Sequence, residues 1–231
     1  MDGADYQLRI FTPRSELPFA GHPTLGSAHA AIETGRVSEG QTRIVQECGQ
    51  GLVSISVHGD ATARILTLGL PAGTVEPLGD DARLLSNALG GAPLVDVPPA
   101  IIDVGVVWIV AQVKSPQALM ALTPDFNRLA ALERRRGATG VSLFARYDDG
   151  AIETRSFAPS SGVDEDPVCG SGNGSIALFQ THYGILPAAN YVARQGRCVG
   201  RDGEVLIGVD KNGSISVGGR AVTVARGQLE L

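Results

Sequence analysis

Two glycine-rich turns in this sequence carry residue types that move protons in enzymes. Imidazole, carboxylate, thiol and hydroxyl side chains act as acids, bases or nucleophiles when a turn holds them beside a substrate. A histidine in a loop is more often structural than catalytic, but an acidic turn in a partner domain favours the catalytic interpretation. The candidates are His22 beside Gly21 in the first turn, and Asp166, Cys169 and Ser171 around Gly170 in the second.

The two turns are copies within an internal repeat. Leu17–Gly35 returns, with weak similarity, as Asp166–Gly184. In each copy a proline, an apolar residue and a small residue lead into a glycine, and small residues, an apolar run and a closing glycine follow. Such self-similarity indicates one fold used twice. The length of 231 residues then fits two domains of roughly a hundred residues each.

Each copy predicts a helix that begins at its turn. Pro23 suits an early turn of the first helix, which runs to about Thr34, and the second helix spans about 171–183. The first helix is so poor in charge that we expect a sheet to wrap around it. An open helix start presents unpaired N–H groups and the positive end of the helix dipole, which bind carboxylate or phosphate.

The second turn has an alternative interpretation. Gly170, Gly172 and Gly174 could serve only to permit tight backbone packing, since a glycine cluster is a weak signal by itself. On composition alone the two interpretations stay open. The titratable and hydroxyl groups in both turns favour a site.

The remaining chain predicts short strands, further helices and a domain boundary. The apolar, β-branched run Ile101–Val113 is too short to cross a membrane and predicts one buried strand. Val97–Pro99 is the best candidate for an interdomain link. We predict a first domain of 1–98 with a C-terminal strand at about 222–231, and a second domain of 99–221. Other strands are predicted at 6–11 (closed by Pro13), 43–47, 52–57, 63–68, 141–147, 151–157, 191–194, 204–209, 214–217 and 222–229, and helices at 80–89, 115–122 and 125–136.

Composition and charge limit the function classes. The chain is 43% hydrophobic and 19% charged, which is ordinary for a globular protein. Its net charge of −5 argues against nucleic acid or an acidic membrane as a partner, because both select a basic surface. The first residues predict no signal peptide. We therefore expect a cytoplasmic protein.

The cysteines and histidines predict neither a disulfide framework nor a metal site. Cys48, Cys169 and Cys198 are odd in number and scattered, and the four histidines lack ligand spacing. A reducing compartment is the expected environment. Cys169 lies at a predicted helix start, which predicts a lowered thiol pKa and a reactive group, although burial is the commoner outcome for a small cysteine.

The segments FTPRSELPFAGHPTLGSAHA and GVDEDPVCGSGNGS resemble those of the PhzF-type, phenazine-biosynthesis-like isomerases, whose fold is that of diaminopimelate epimerase. The resemblance covers essentially the whole chain in order. It implies an α+β fold of two pseudo-symmetric domains, each a curved mixed sheet wrapped around a central helix, with the active site between them. It also implies cofactor-independent proton transfer at carbon: epimerisation, racemisation or a 1,3-hydrogen shift on a small carboxylate-bearing metabolite.

The resemblance implies roles for individual residues. His22 resembles the family's histidine beside the reacting centre, Asp166 the aspartate that holds or relays the proton, and Ser171 the serine at the second helix start. Cys169 matches a thiol of related epimerases and racemases, but Ala20 occupies the partner position, so two-thiol chemistry is not expected. The expected substrate-binding residues are Gly21, Pro23, Gly170 and Gly172.

One element of the family pattern is not found in this sequence. The family's general acid/base is a glutamate on a segment before the strand at Tyr6, and the internal repeat also predicts about 50 further residues there. Loss of such a base commonly lowers the rate about 10²–10⁴-fold. Three explanations stay open: an incomplete product of a longer gene, a short form that uses Asp166, His22 or Cys169 as the base, or a cleft that has lost its chemistry.

Two function classes follow. The leading hypothesis is a cofactor-independent isomerase of secondary or amino-acid metabolism that holds its substrate anion between the two helix starts. The alternative is a catalytically impaired binding or assembly protein of the same fold, which dimerises or needs a complementing partner. A homodimer is the expected assembly. A weaker third option makes Cys169 or Ser171 a covalent nucleophile.

Overall fold

The computed structural model describes residues 3–11, 16–60 and 63–228, which form a mixed α+β protein, as the sequence predicts. The chain divides into two compact units, one of Met1–Gly69 with Gly218–Leu231 and one of Leu70–Val217. The sequence-based division lies after residue 98 instead. The structure places the intervening segment in the second unit, where Leu78 and Leu85 are fully buried in an apolar core.

The first unit is a small sheet with one helix. Its elements are β1 (Tyr6–Gln7), β2 (Ile10–Phe11), β3 (Glu16–Leu17), α1 (Gly21–Glu33), β4 (Arg43–Cys48), β5 (Gly51–His58) and β6 (Ile65–Gly69). The sheet order is β1-β4-β5-β6, with β1 parallel to β4 and the other pairs antiparallel. Strands β2 and β3 form a separate antiparallel pair. The single strand predicted at 6–11 is wrong, because β1 and β2 join different sheets; Pro13 lies outside the described residues.

Helix α1 buries one face. Its apolar buried residues Ala28, Ala31 and Ile32 pack in one cluster with Ile44 and Leu66 of the sheet. Its exposed residues include His22, Pro23, Gly26 and Ala30. Among the described residues, the main strand contacts of α1 are with β4 and β6, so the sheet packs on the face that carries Thr24, Ala28, Ala31 and Ile32.

The second unit contains the larger sheet. Its elements are β7 (Thr74–Pro77), α2 (Ala82–Ala88), β8 (Ala100–Asp103), β9 (Val107–Gln112), α3 (Pro116–Met120), α4 (Phe126–Arg136), β10 (Gly140–Arg146), β11 (Ile152–Ala158), β12 (Val163–Asp166), α5 (Gly170–His182), β13 (Asn190–Gln195), β14 (Gly203–Val209) and β15 (Ile215–Gly219), the strand in which the chain leaves this unit. The strand order is β15-β14-β13-β11-β10-β9-β8-β7, with β12 paired to β11. Parallel pairs β9–β10 and β11–β13 lie among antiparallel ones.

The single strand predicted at 101–113 is two strands, β8 and β9, which pair antiparallel. Gly105, with φ +88°, lies in the turn between them, and its N–H donates to Asp103 Oδ1 at 2.8 Å. Glycine adopts this left-handed backbone without a steric penalty. The apolar pattern hid the turn, because both strands are largely buried and apolar on either side of it.

Helix α5 is the central helix of the second unit. It contacts strands β7, β8, β9, β10 and β14. Ile176, Ala177 and Phe179 are almost fully buried in one apolar cluster with Ile102 and Phe144. The sheet therefore encloses this helix, as predicted for a central helix.

The C-terminal segment 220–228 contains no strand, so the strand predicted at 222–229 is wrong for the described residues. Side chains hold this segment to α1 instead. Thr223 Oγ1 and Arg226 Nη2 donate to Glu33 Oε2, at 2.5 and 3.0 Å. The last three residues of the chain lie outside the described ranges.

Candidate functional site

The second glycine-rich turn begins with the segment Asp166–Cys169, which connects β12 to α5 and precedes Gly170. Asp166 is the last residue of β12 and pairs with Ser156 of β11, so the sheet fixes its backbone. Its Oδ1 accepts a hydrogen bond from the Val168 N–H at 3.0 Å. Such a side-chain contact to the backbone two residues later favours a turn over a continued strand. The half-buried carboxylate therefore lies at the strand end, close to the start of α5.

Cys169 is the N-cap residue of α5 and is 5% exposed. Its Sγ accepts a hydrogen bond from the Gly172 N–H at 3.3 Å and lies 3.7 Å from Ser171 Oγ. Burial, with a smaller contribution from the charge of Asp166, raises the pKa of this thiol to about 11. The predicted lowering of the pKa is wrong, because burial outweighs the effect of the helix amides. At neutral pH the group is a neutral thiol, which is a poor nucleophile.

Ser171 lies in the first turn of α5, and the only tryptophan of the chain contacts its hydroxyl. Trp108 Nε1 donates to Ser171 Oγ at 3.1 Å. Because an indole N–H can only donate, the serine oxygen accepts this bond and its own hydrogen is directed elsewhere. A nucleophilic serine needs a base to take that hydrogen, and Trp108 offers none. The geometry favours Ser171 as a hydrogen-bond donor over a covalent nucleophile.

Tight packing explains two glycines of α5. A Cβ atom on Gly172 would lie 2.9 Å from Ser156 Oγ and closer still to Ser142 Oγ. A Cβ atom on Gly174 would collide with the Leu70 side chain. Both positions therefore require glycine for close approach of the sheet and the preceding loop. The packing interpretation of the glycine cluster holds for these two residues.

Packing does not explain Gly170 or its repeat counterpart Gly21. A Cβ atom on Gly170 would meet only Val217 Cγ1 at 3.8 Å, an ordinary contact, and one on Gly21 would meet nothing within 4 Å among the described residues. Both are the first residues of their helices. Among the described residues, neither first glycine is therefore required by packing, and the absence of a Cβ atom at these positions suits close approach of an anion to the helix amides.

The start of α1 is more exposed than that of α5. Ala20 precedes it in an extended conformation and provides no side-chain cap. The helical hydrogen bonds begin with the Thr24 N–H and the Ala20 carbonyl, at 3.1 Å. Since Pro23 has no N–H, the amides at this helix start are those of Gly21 and His22. His22 and Pro23 are both exposed.

Two buried amide side chains that sequence reasoning missed hold the second turn. Asn173 Nδ2 donates to the Cys169 carbonyl and Gln195 Nε2 donates to the Asp166 carbonyl, both at 2.8 Å. No sequence signal marks Gln195, which ends an ordinary strand. Asn173 lies inside the glycine motif. A polar residue on a helix face that is otherwise apolar is the one sequence feature that could have indicated its structural role.

The predicted site residues divide between the two units. Asp166, Cys169, Gly170, Ser171 and Gly172 lie together in the second unit, and Gly21, His22 and Pro23 lie in the first. Within the described ranges no group of three or more His, Cys, Asp or Glu side chains is arranged to hold a metal ion. No helix in the same ranges is long and apolar enough to cross a membrane.

Comparison with solved structures supports the fold. A predicted epimerase from Pseudomonas aeruginosa superposes with a TM-score of 0.81 at 26% identity, over 99% of this chain and 81% of that one. The expected α+β fold of the epimerase type is confirmed.

Sequence comparison identifies relatives along the whole chain. The chain is 36% identical over 239 residues to antisense-enhancing sequence 1 of Schizosaccharomyces pombe, with 99% of this chain and 80% of that protein covered. It is 31% identical over 237 residues to the uncharacterized isomerase YddE of Escherichia coli K12, with 96% and 78% covered. Residues 1–227 match the family of phenazine biosynthesis-like proteins (PhzC-PhzF). The chain therefore belongs to the phenazine biosynthesis-like protein family and is an isomerase.

Proposed function

We propose that this isomerase transfers a proton at a carbon atom of a small carboxylate-bearing metabolite, without a cofactor, in an epimerisation or a 1,3-hydrogen shift. The observation that carries the proposal is the start of α5. An unhindered glycine, a hydroxyl that accepts from Trp108 and keeps its own hydrogen for donation, and a carboxylate lie within six residues of one another on a fixed turn.

Substrate binding is assigned to the helix starts. The amide of Gly170 and the hydroxyl of Ser171 are hydrogen-bond donors suited to a carboxylate. At the start of α1 the corresponding donor is the amide of Gly21, and Pro23, which has no N–H, contributes ring surface beside the bound anion. The amide of Gly172 already donates to Cys169 Sγ, so Gly172 contributes by keeping the turn compact.

Proton transfer is assigned to Asp166 and His22. A C–H bond next to a carboxylate breaks, its electron pair moves into the bound carboxylate system, and the proton passes to the base. Hydrogen bonds to the carboxylate oxygens stabilise the charge that develops there. Donation of a proton to the opposite face by the second of these two groups gives the epimer, whereas return of the removed proton to the γ-carbon of an unsaturated acid gives the shifted double bond. Neither reaction needs an oxidant or reductant.

Cys169 has a supporting role in this proposal. Because the pKa of its thiol is raised to about 11, Cys169 is protonated at neutral pH and is a weak candidate for the base. Its sulfur instead accepts from the amide of Gly172 and lies close to Ser171. The base at neutral pH is then a carboxylate or an imidazole.

The test is deuterium uptake from heavy water at carbon, followed by proton NMR. The panel contains the proteinogenic amino acids and the unsaturated acids itaconate, citraconate and mesaconate. We expect uptake into at least one compound, and a loss of about 10²–10⁴-fold in Asp166→Asn and His22→Gln. Matched controls are Asp164→Asn, an exposed aspartate of the same strand, and His58→Gln, an exposed histidine. Undiminished uptake in the site variants would refute the assignment.

The same samples address the alternative function and the homodimer. A binding or assembly protein would show no uptake into any compound but would still be stabilised by a small dicarboxylate such as malonate. Sedimentation at micromolar concentration tests the dimer directly, since a strictly monomeric species would contradict it.

A further inference from the structure

One buried side chain is bonded to both ends of the Asp166–Cys169 turn. Gln195, the last residue of β13, is fully buried. Its Nε2 donates to the Asp166 carbonyl at 2.8 Å, and its Oε1 accepts from the Cys169 N–H at 3.2 Å. The carboxamide therefore spans the turn that carries the proposed proton-transfer carboxylate at one end and the cap of α5 at the other.

The orientation of this carboxamide is fixed by its neighbours. Asn173 Nδ2 donates to Gln195 Oε1 at 2.7 Å and to the Cys169 carbonyl at 2.8 Å. The Thr154 hydroxyl also donates to Gln195 Oε1, at 3.3 Å. If the Gln195 amide were turned around, its NH₂ group would face three donors, the Cys169 N–H, Asn173 Nδ2 and the Thr154 hydroxyl, and its oxygen would face the Asp166 carbonyl. Only one orientation satisfies every partner. The turn, β13 and α5 are thus joined through one network of buried hydrogen bonds.

Glycines beside Gln195 allow the end of β13 to lie close to the Asp166–Cys169 turn. Gly196, with φ +98°, follows it, and a Cβ atom there would lie 2.5 Å from the Pro167 carbonyl oxygen. A Cβ atom on Gly203, the register partner of Gln195, would lie even closer to Val168 Cγ2. Both glycines let the β13–β14 pair lie directly against the turn, so Gln195 meets it at hydrogen-bonding distance.

We propose that Gln195 is a positioning residue for the isomerase reaction. By binding both ends of the turn it sets the direction of the Asp166 side chain relative to the amides at the start of α5. This inference rests on the proposed function of Asp166. A displacement of about 1 Å in such a site can lower a rate about 10²-fold, so loss of the carboxamide is expected to lower kcat with little effect on KM.

The experiment compares Gln195→Met with Gln180→Met. Gln180 is also fully buried, on α5 near its C-terminal end, and its Oε1 accepts from the Tyr191 hydroxyl at 2.8 Å. Both variants lose a buried amide, but only one loses contact with the turn. Gln195→Glu is the second variant if Gln195→Met does not fold: it keeps the acceptor and places an oxygen against the Asp166 carbonyl.

Two readouts separate positioning from general destabilisation. The first is the rate of Cys169 alkylation by iodoacetamide in the folded full chain, resolved from Cys48 and Cys198 by peptide mass spectrometry. The second is kcat for deuterium uptake into the most active compound of the panel. For the Gln195 variant we expect alkylation about 10-fold faster and kcat about 10²-fold lower than for Gln180→Met.

Equal alkylation rates, or equal kcat values, in the two glutamine variants would overturn the proposal. If the wild-type protein catalyses no uptake, the proposed function fails. The alkylation comparison then still tests whether Gln195 fixes the Asp166–Cys169 turn. Faster alkylation of Cys169 in the Gln195 variant than in Gln180→Met supports this, and an equal rate refutes it.

Discussion

The two glycine-rich helix starts share a sequence pattern but differ in their surroundings. The start of α5 is capped by a buried cysteine and held by Gln195, and the helix contacts five strands. Helix α1 begins after Ala20, which provides no side-chain cap; it exposes His22, and among the described residues its main strand contacts are with β4 and β6. What they have in common is an unhindered glycine at the first helical position. The comparison teaches that packing requires the later glycines Gly172 and Gly174 of α5 but not the first glycine of either helix, which is why the anion-binding role is proposed for Gly21 and Gly170.

The largest expected effect is on the reaction rate, and it is expected at both helix starts. Asp166→Asn removes the carboxylate without changing its size and is expected to lower deuterium uptake about 10²–10⁴-fold. His22→Gln is expected to produce a loss in the same range. Thermal unfolding checks that both variants remain folded.

A double-mutant cycle then tests whether the two starts act on one substrate. If they do, the double variant loses less than the product of the two single losses, because either removal already prevents the same proton transfer. Fully multiplicative losses would show that the two starts act independently.

The next effect is on stability and concerns glycines within the helices. Gly174→Ala forces a methyl group against Leu70 and is expected to lower the free energy of unfolding by about 1–3 kcal/mol. Gly26→Ala is the matched change in α1, where a Cβ atom meets nothing within 4 Å among the described residues. It is expected to raise stability by up to about 1 kcal/mol through helix propensity. Urea denaturation measures both, and equal effects would contradict the contrast in packing.

The buried thiol of Cys169, at the start of α5, is expected to make the free energy of unfolding depend on pH. Burial raises the pKa of Cys169 from the ordinary 9 to about 11, so the unfolded thiol ionises first as the pH rises. Stability from this group is complete below about pH 9 and is lost as the pH rises toward 11. Between pH 8 and 10 the wild type should lose about 1 kcal/mol more than Cys169→Ala. Parallel pH profiles would show that the thiol is not buried as described, and Cys48→Ala serves as the control.

The smallest effect distinguishes a ligand-facing glycine from a structural one. Gly170→Ala and Gly21→Ala are expected to change the free energy of unfolding by less than about 0.5 kcal/mol, since neither added methyl group meets a crowded site. Both should still lower kcat/KM, by about 10-fold, because the methyl group occupies the space of the bound carboxylate. Unchanged kcat/KM in Gly170→Ala would remove the anion-binding role from the α5 start.

Much of the fold could be predicted from local patterns. Helices lie near the predicted 80–89, 115–122 and 125–136, and the hairpin of β10 and β11 lies near the predicted strands. The errors arose where tertiary context decides. The apolar run at 101–113 conceals a turn, and side-chain bonds to Glu33 replace the strand expected at the C-terminus. The small-residue pattern of α1 also did not determine how many strands would cover it.

The part of the candidate site that could be predicted is the part whose reactive side chains lie close together in the sequence. The Asp166–Gly172 motif placed a carboxylate, a thiol and a hydroxyl at one helix start, and the structure brings them together. Trp108 and Gln195 could not be predicted, since they reach the turn from strands distant in sequence. The direction of the Cys169 pKa shift could not be predicted either, because burial depends on packing that the local sequence does not determine.

The most direct test is deuterium uptake at carbon by the wild-type chain and by Asp166→Asn, measured side by side by proton NMR over the panel of amino acids and unsaturated acids. The result expected is exchange of one carbon-bound hydrogen in at least one carboxylate, about 10²-fold or more faster with the wild type. Equal exchange by the two proteins, or none by the wild type in any compound, would contradict proton transfer at this helix start.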